Sequence, residues 1–273
     1  MPRPTVLYVS DLSYPARGRR YCDEDIYLTS RLRDHFDLAI CHPEDAETLM
    51  RGFDTVVVRN SGPVIDYPEA YERFREQARA TGQRVYNPLT GKADMAGKQY
   101  LIDLTDQGFP VIPTIDDPAH LERLPETPEY VVKPKAGADS HGLEFTTAEN
   151  LASTTNKDGV LIQPKIEFSY EVSFYFVDRD FQYALHAPDP AQRWELTPYD
   201  ATPEDLEFAQ TFIDWNDLDH GVQRVDACRT QEGELLLVEL EDLNPYLSLD
   251  RTTDETKDAF VEAMIRSIQG SLT

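Results

Sequence analysis

Residues 224–245 read RVDACRTQEGELLLVELEDLNP, and the placement of charge in this stretch decides how the chain is read. It reads as two strands joined by a tight turn at Glu232-Gly233. A two-residue turn there pairs Gln231 with Glu234. The same ladder sets Asp226 opposite Glu239 and Arg224 opposite Glu241. Strand side chains alternate faces, so all four share one face. Like charges directly across a strand pair are destabilising. The LLLV run at 235–238 argues for a strand buried on both sides, where uncompensated carboxylates are costly. A divalent cation between the acids reverses the sign of their interaction. Magnesium suits such a place, because it takes hard oxygen ligands and keeps positions open for waters and phosphate oxygens. Glu241 can add a bridging carboxylate. Arg224 can neutralise excess charge or hold a transferring phosphoryl group. The competing reading is an acidic, solvent-facing sheet surface in an acidic protein.

The acidity is real: 50 Asp and Glu stand against 26 Lys and Arg among 273 residues, a formal net charge of −24. Such a field argues against non-specific binding of nucleic acid or anionic membrane. The length allows a large core and two or three subdomains, and 40% hydrophobic content is in the globular range. Cys22, Cys41 and Cys228 are odd in number and far apart, which implies no disulfide framework and a reducing compartment. The N-terminal apolar run is too short for a signal peptide and no segment approaches membrane-span length, so a cytoplasmic protein is expected. Six histidines show no close metal-ligand spacing, so zinc chemistry is not expected.

Along the chain, strand patterns at 5–10, 37–41, 55–59 and 83–88 alternate with helical patterns at 24–35 and 68–82. This alternation implies an α/β unit with a parallel sheet over residues 1–88. A helix carrying Lys98 is expected at 91–107, followed by a turn into a strand at 108–114. Strands follow at 130–147 as a pair around a Gly-containing loop, then at 161–166, 169–178 and 181–187. The stretch 188–203 reads as a loop, and helices are expected at 203–218 and 254–269.

Lys133 ends the apolar YVVK strand and precedes a loop with Gly137 and Gly142. Such a loop can fold backbone N–H groups around phosphate oxygens while the lysine supplies charge. It also reads as a hairpin turn with a solvated lysine. Glu171, in an apolar and aromatic run, can accept hydrogen bonds from ribose hydroxyls or stand as an ordinary edge-strand glutamate. The backbone from Gln163 to Ile166, through Lys165, can offer a donor and an acceptor to an adenine edge. Arg17, Arg19 and Arg20 follow the first strand, at the end where open α/β sheets bind ligands. They suit a carboxylate clamp or a flexible basic loop, and Arg59-Asn60-Ser61 after the third strand is a similar candidate.

The order Lys98, Lys133-Pro134 with its Gly/Ser loop, Gln163-Pro164-Lys165-Ile166 with Glu171, then RVD, then ELE…NP resembles the ATP-grasp superfamily over about residues 86–250. It is most similar to the branch of glutathione synthetase, D-alanine–D-alanine ligase and the ribosomal-protein glutamate ligases. The resemblance implies an α+β ATP-grasp fold. Residues 1–88 would be the substrate domain, 89–162 the central lid subdomain, and 163–273 the C-terminal subdomain with the metal site. It implies that Lys98 and Lys133 contact ATP phosphates, and that Ser140, Gly137 and Gly142 belong to a closing loop. Gln163, Lys165 and Ile166 would line the adenine and Glu171 the ribose. Asp226, Glu239 and Glu241 would bind magnesium, or manganese in its place, while Arg224 and Arg193 steady the γ-phosphate. The usual Glu-x-Asn ending is Glu239-Leu240-Glu241 here, with Asn244-Pro245 three residues on and able to replace the missing amide at substrate or metal. A Glu-x-Glu ending followed by proline resembles the ring-closing ligases of cycloserine biosynthesis. His141 is placed to reach substrate or to stand as a surface histidine.

The activity so implied is ligation of a small-molecule carboxylate to an amine or other nucleophile through an acylphosphate, on a small amino acid or peptide. A homodimer is compatible with it. A small-molecule kinase of the same fold and a nucleotide sensor without turnover are the alternatives.

Overall fold

The computed structural model describes residues 2–13, 15–16, 19–59, 66–135, 142–151 and 159–273, and only the backbone at 15, 16, 19–21 and 190. The expected sites Arg17, Asn60, Ser61, Gly137, Ser140 and His141 lie outside the described residues, as do the side chains of Arg19 and Arg20.

The first unit is a parallel sheet of β1 (Thr5–Val9), β4 (Asp37–Cys41), β5 (Thr55–Val58) and β6 (Arg84–Tyr86), in the order β4-β1-β5-β6. β1 and β5 are apolar and buried because neighbours cover both their edges and both faces. Between β1 and β4 come a small hairpin, β2 (Pro15–Ala16) with β3 (Arg19–Arg20), and α1 (Tyr21–Leu32). The short α2 (Ala46–Leu49) precedes β5, and α3 (Pro68–Thr81) precedes β6. Proline opens α3, and Gly82 at φ 68 ends it in the left-handed region, where a side chain would be strained.

The helix expected at 91–107 is only α4, Tyr100–Asp106. Residues 91–99 are turns, with Gly97 at φ 92. The N–H groups of Ala93 and Met95 donate to the Asp242 carboxylate at 3.2 and 2.7 Å instead of building helix. Lys98 therefore sits just before a helix, not on one.

The central sheet has three antiparallel strands, β7 (Tyr130–Pro134), β8 (Glu144–Thr146) and β9 (Val160–Pro164), in the order β8-β7-β9. The larger sheet contains β10 (Phe168–Val177), β11 (Asp180–Ala187), β12 (Thr197–Pro198), β13 (Val222–Thr230) and β14 (Leu235–Glu241), in the order β12-β11-β10-β13-β14. One of its faces packs on α4 and on α5 (Pro203–Asn216), around Phe174, Phe212, Val225 and Leu237. Part of the other face packs, through Tyr175 and Tyr183, on β1, α1 and α6 (Asp254–Ser271). The segment expected to be a strand at 108–114 instead runs along the free edge of β14. Leu237 N–H donates to Pro110 at 2.9 Å and Ile112 N–H to Leu237 at 3.1 Å, which covers the edge.

The hairpin of 224–245 differs from expectation twice, and the differences cancel. Its loop is one residue longer: Thr230 N–H donates to Glu234 at 2.8 Å, and Gly233 at φ 91 closes the turn. A bulge then adds Val238 to β14, between the pairs Ala227–Leu237 and Asp226–Glu239. Asp226 still faces Glu239, and Arg224 still faces Glu241. The three cysteines are buried and none is in a disulfide. Among the described residues no helix is long and apolar enough to cross a membrane.

Candidate active site

β10, β13 and β14 carry the polar face. Glu171, Ser173 and Tyr175 alternate along β10, with Ser173 paired to Asp226 and Tyr175 to Arg224. Asp226, Glu239 and Glu241 each place a carboxylate oxygen within 4.8 Å of the others. They are half-buried, as partial cover by neighbouring elements demands. Ser173 Oγ donates to Asp226 at 2.6 Å. Arg224 lies between two acids, 2.7 Å from Asp226 and 2.5 Å from Glu241, and donates Nη1 to the Tyr246 carbonyl at 2.9 Å.

The charges condition one another. Burial works against the Arg224 cation, but Asp226 and Glu241 outweigh it and hold its pKa well above the ordinary value. Burial pushes Glu241 up, Arg224 opposes the rise, and the nearby Asp226 adds to it. Such a carboxylate gains from any further cation nearby.

Lys98 enters from the turn before α4 and contacts Glu239, with Asp94 3.5 Å away. Lys133, at the end of β7, is half-buried; burial lowers its pKa to about 7, and the Lys98 charge adds to the fall. Arg193, from the 188–203 loop, donates Nε to Glu171 at 2.5 Å. Burial raises the Glu171 pKa, with Arg193 opposing. Three cations, Lys98, Arg193 and Arg224, thus pair with four carboxylates from three strands, and Lys133 lies close enough to Lys98 and Arg193 to feel their charge. This can hold a polyanion and a divalent ion together.

Gln163 is buried and donates Nε2 to Thr114 at 2.8 Å. The Lys165 ammonium is exposed and pairs with Glu129 at 2.7 Å, and Ile166 is half-buried beside it. Gly142, at φ 75, abuts Pro134, where a Cβ would come within 2.9 Å of the ring. Asn244 has a buried Nδ2 with no hydrogen-bond partner. Arg59 is buried in the N-terminal unit, 3.1 Å from Glu24 and 3.9 Å from Asp25. Glu24 also accepts from Leu247 N–H at 2.9 Å, which ties this cluster to the loop after β14.

Three residues of the site went unread in the sequence. Ser173 follows Glu171 by two and so shares its face, a signal open to the strand pattern. Asp94 stands four residues before Lys98. Tyr246 contributes a carbonyl, for which side-chain chemistry gives no sign.

No protein-family model and no curated protein sequence matches the chain. Solved structures do. D-cycloserine synthetase DcsG superposes with a TM-score of 0.75 at 22% identity, over 98% of this chain and 100% of that one. D-alanine–D-alanine ligase from Bacillus anthracis, complexed with ATP, gives 0.68 at 12% identity over 99% of each chain. The chain has the ATP-grasp fold. The ATP-grasp ligase PsnB, complexed with a precursor variant, Mg and ADP, gives 0.64 at 15% identity over 97% of this chain and 99% of that one.

Proposed function

We propose that the chain is an ATP-dependent carboxylate–amine ligase that works through an acylphosphate on a small amino acid or peptide. The observation that carries this is the meeting of Asp226, Glu239 and Glu241 with Lys98, Arg224 and, through Glu171, Arg193. The similar folds of a D-cycloserine synthetase and a D-alanine–D-alanine ligase support the choice of an amino-acid substrate. So does the Glu239-Leu240-Glu241 ending followed by Pro245.

The acid cluster fits magnesium. Its donors are all hard oxygens, and their mutual distances of at most 4.8 Å need little contraction to reach the roughly 3–4 Å set by bonds of about 2.1 Å. Asp226, Glu239 and Glu241 would hold the ion, and manganese, with the same oxygen preference, would replace it. When bound, magnesium neutralises charge on the phosphate oxygens.

The residues of this chain would then do the rest. Lys98 and Lys133 hold the phosphates, Glu171 takes the ribose hydroxyls, and the backbone from Gln163 to Ile166 lines the adenine. Arg224 and Arg193 steady the γ-phosphoryl group as a substrate carboxylate oxygen bonds to its phosphorus and the bond to ADP breaks. The amine then attacks the acyl carbon, phosphate leaves with the acyl oxygen, and the amine proton passes to solvent. Residues 1–88 would build the acceptor pocket. Residues 89–162, with Gly137, Ser140 and Gly142, would form the lid that keeps water from the acylphosphate.

Phosphate release measured across a panel of amino acids tests this. A ligase releases phosphate only with acid and nucleophile both present. ADP with a phosphorylated product and no free phosphate would make the chain a kinase, and neither product would make it a sensor.

A further inference from the structure

β14 carries Glu239 and Glu241 on the polar face, so Leu240 and Asp242 turn elsewhere. What they hold is the segment leading to Lys98. Asp242 is fully buried. Its Oδ1 accepts from Met95 N–H at 2.7 Å, and its Oδ2 from Ala93 N–H at 3.2 Å and Asn216 Nδ2 at 3.0 Å. Asn216 Oδ1 accepts from Lys92 N–H at 2.8 Å, and the Leu240 carbonyl from Asp94 N–H at 3.4 Å. Four consecutive N–H groups, from Lys92 to Met95, are thus pinned to the end of one strand and its partner Asn216. Gly91 lies so close that a Cβ there would be 2.2 Å from Asp242 Oδ2. Only glycine lets the backbone approach this far.

We propose that Asp242, with Gly91 against it, is a positioning residue that sets the distance between the Lys98 ammonium and the Glu239–Glu241 carboxylates. This rests on the nucleotide reading given above. Leu240 in β14 and Asp242 just past its end hold the lysine's segment while Glu239 and Glu241 carry the acids, so one stretch of chain gauges cation against anion. A phosphate oxygen must meet both at once, and a misplacement of about 1 Å can cost on the order of 100-fold.

The test is a double-mutant cycle on the full chain, read by calorimetric titration with ADP and magnesium. Asp242→Asn puts an NH2 group against N–H donors where a carboxylate oxygen accepted them. Wild type, Asp242→Asn, Lys98→Ala and the double variant are compared, each checked for folding by near-UV circular dichroism. Asp242→Asn should weaken ADP binding about tenfold or more, and the double variant should bind within about twofold of Lys98→Ala alone, the non-additivity expected of coupled residues. Losses that multiply overturn the proposal, since they mean Asp242 acts apart from Lys98. If Asp242→Asn does not fold, Gly91→Ala takes its place in the same cycle, and wild-type affinity in that variant overturns the proposal equally. A wild-type protein that binds no ADP at all overturns the nucleotide reading first, and is thereby distinguished.

Discussion

Asp226 and Glu239 face each other across β13 and β14, and each is held by a different cation: Asp226 by Arg224 at 2.7 Å, Glu239 by Lys98. Without ligand, the chain's own cations answer the repulsion that the pairing creates. A nucleotide's phosphates would draw on those same cations and leave the acids to a metal ion.

Glu239→Gln should abolish ATP-dependent turnover with the fold intact. Loss of a group supporting a metal ligand typically costs about 10–100-fold, so removal of the ligand charge itself should cost more than that. Phosphate release and far-UV circular dichroism check the two halves. Retained turnover removes Glu239 from the metal site.

Arg224→Gln leaves Asp226 and Glu241 without their shared cation. Breaking a buried pair on one side costs about 3–5 kcal/mol. Millimolar magnesium should recover part of that in the variant, so its melting temperature should rise more with magnesium than the wild type's does. A variant whose melting temperature does not move with magnesium would mean that the acids bind no divalent ion.

Burial sets the Lys133 pKa at about 7 in the free protein, far below a solvated lysine. Phosphate favours the charged form, so nucleotide binding above pH 7 must take up a proton. Affinity should be flat below about pH 7 and fall above it by up to about tenfold per unit. Lys133→Met should bind more weakly and lose that slope. ADP titrations between pH 6 and 9 measure both, and a pH-independent wild type would contradict the prediction.

Arg193 is half exposed in its pair with Glu171, and pairs near solvent contribute about 0–1 kcal/mol. Arg193→Ala should therefore melt close to wild type. If its guanidinium steadies the γ-phosphoryl group, turnover should fall about 100-fold, the scale for losing one such donor. Unchanged turnover would leave Arg193 only a cap on Glu171.

The acid pair, its arginine partner and the class of fold could be read without coordinates, because strand alternation and ladder pairing are local rules. Asp226 opposite Glu239 survived even a wrong turn length, since the extra loop residue and the Val238 bulge offset each other. The polar and apolar pattern of 91–99 allows a helix. What prevents it is Asp242, some 150 residues away, which takes the N–H groups that helix would need.

Sequence alone thus determined which residue types share a strand face and which charges must find a counterion, because both depend on near neighbours in the chain. Tertiary structure decided that Lys98 reaches Glu239 from the turn before α4 and that Arg193 reaches Glu171 from the loop after β11. It also decided that Arg59 is held in a buried cluster with Glu24 and Asp25. Contacts between distant segments are set by packing and by the matching of buried donors to acceptors, and no spacing along the chain encodes them.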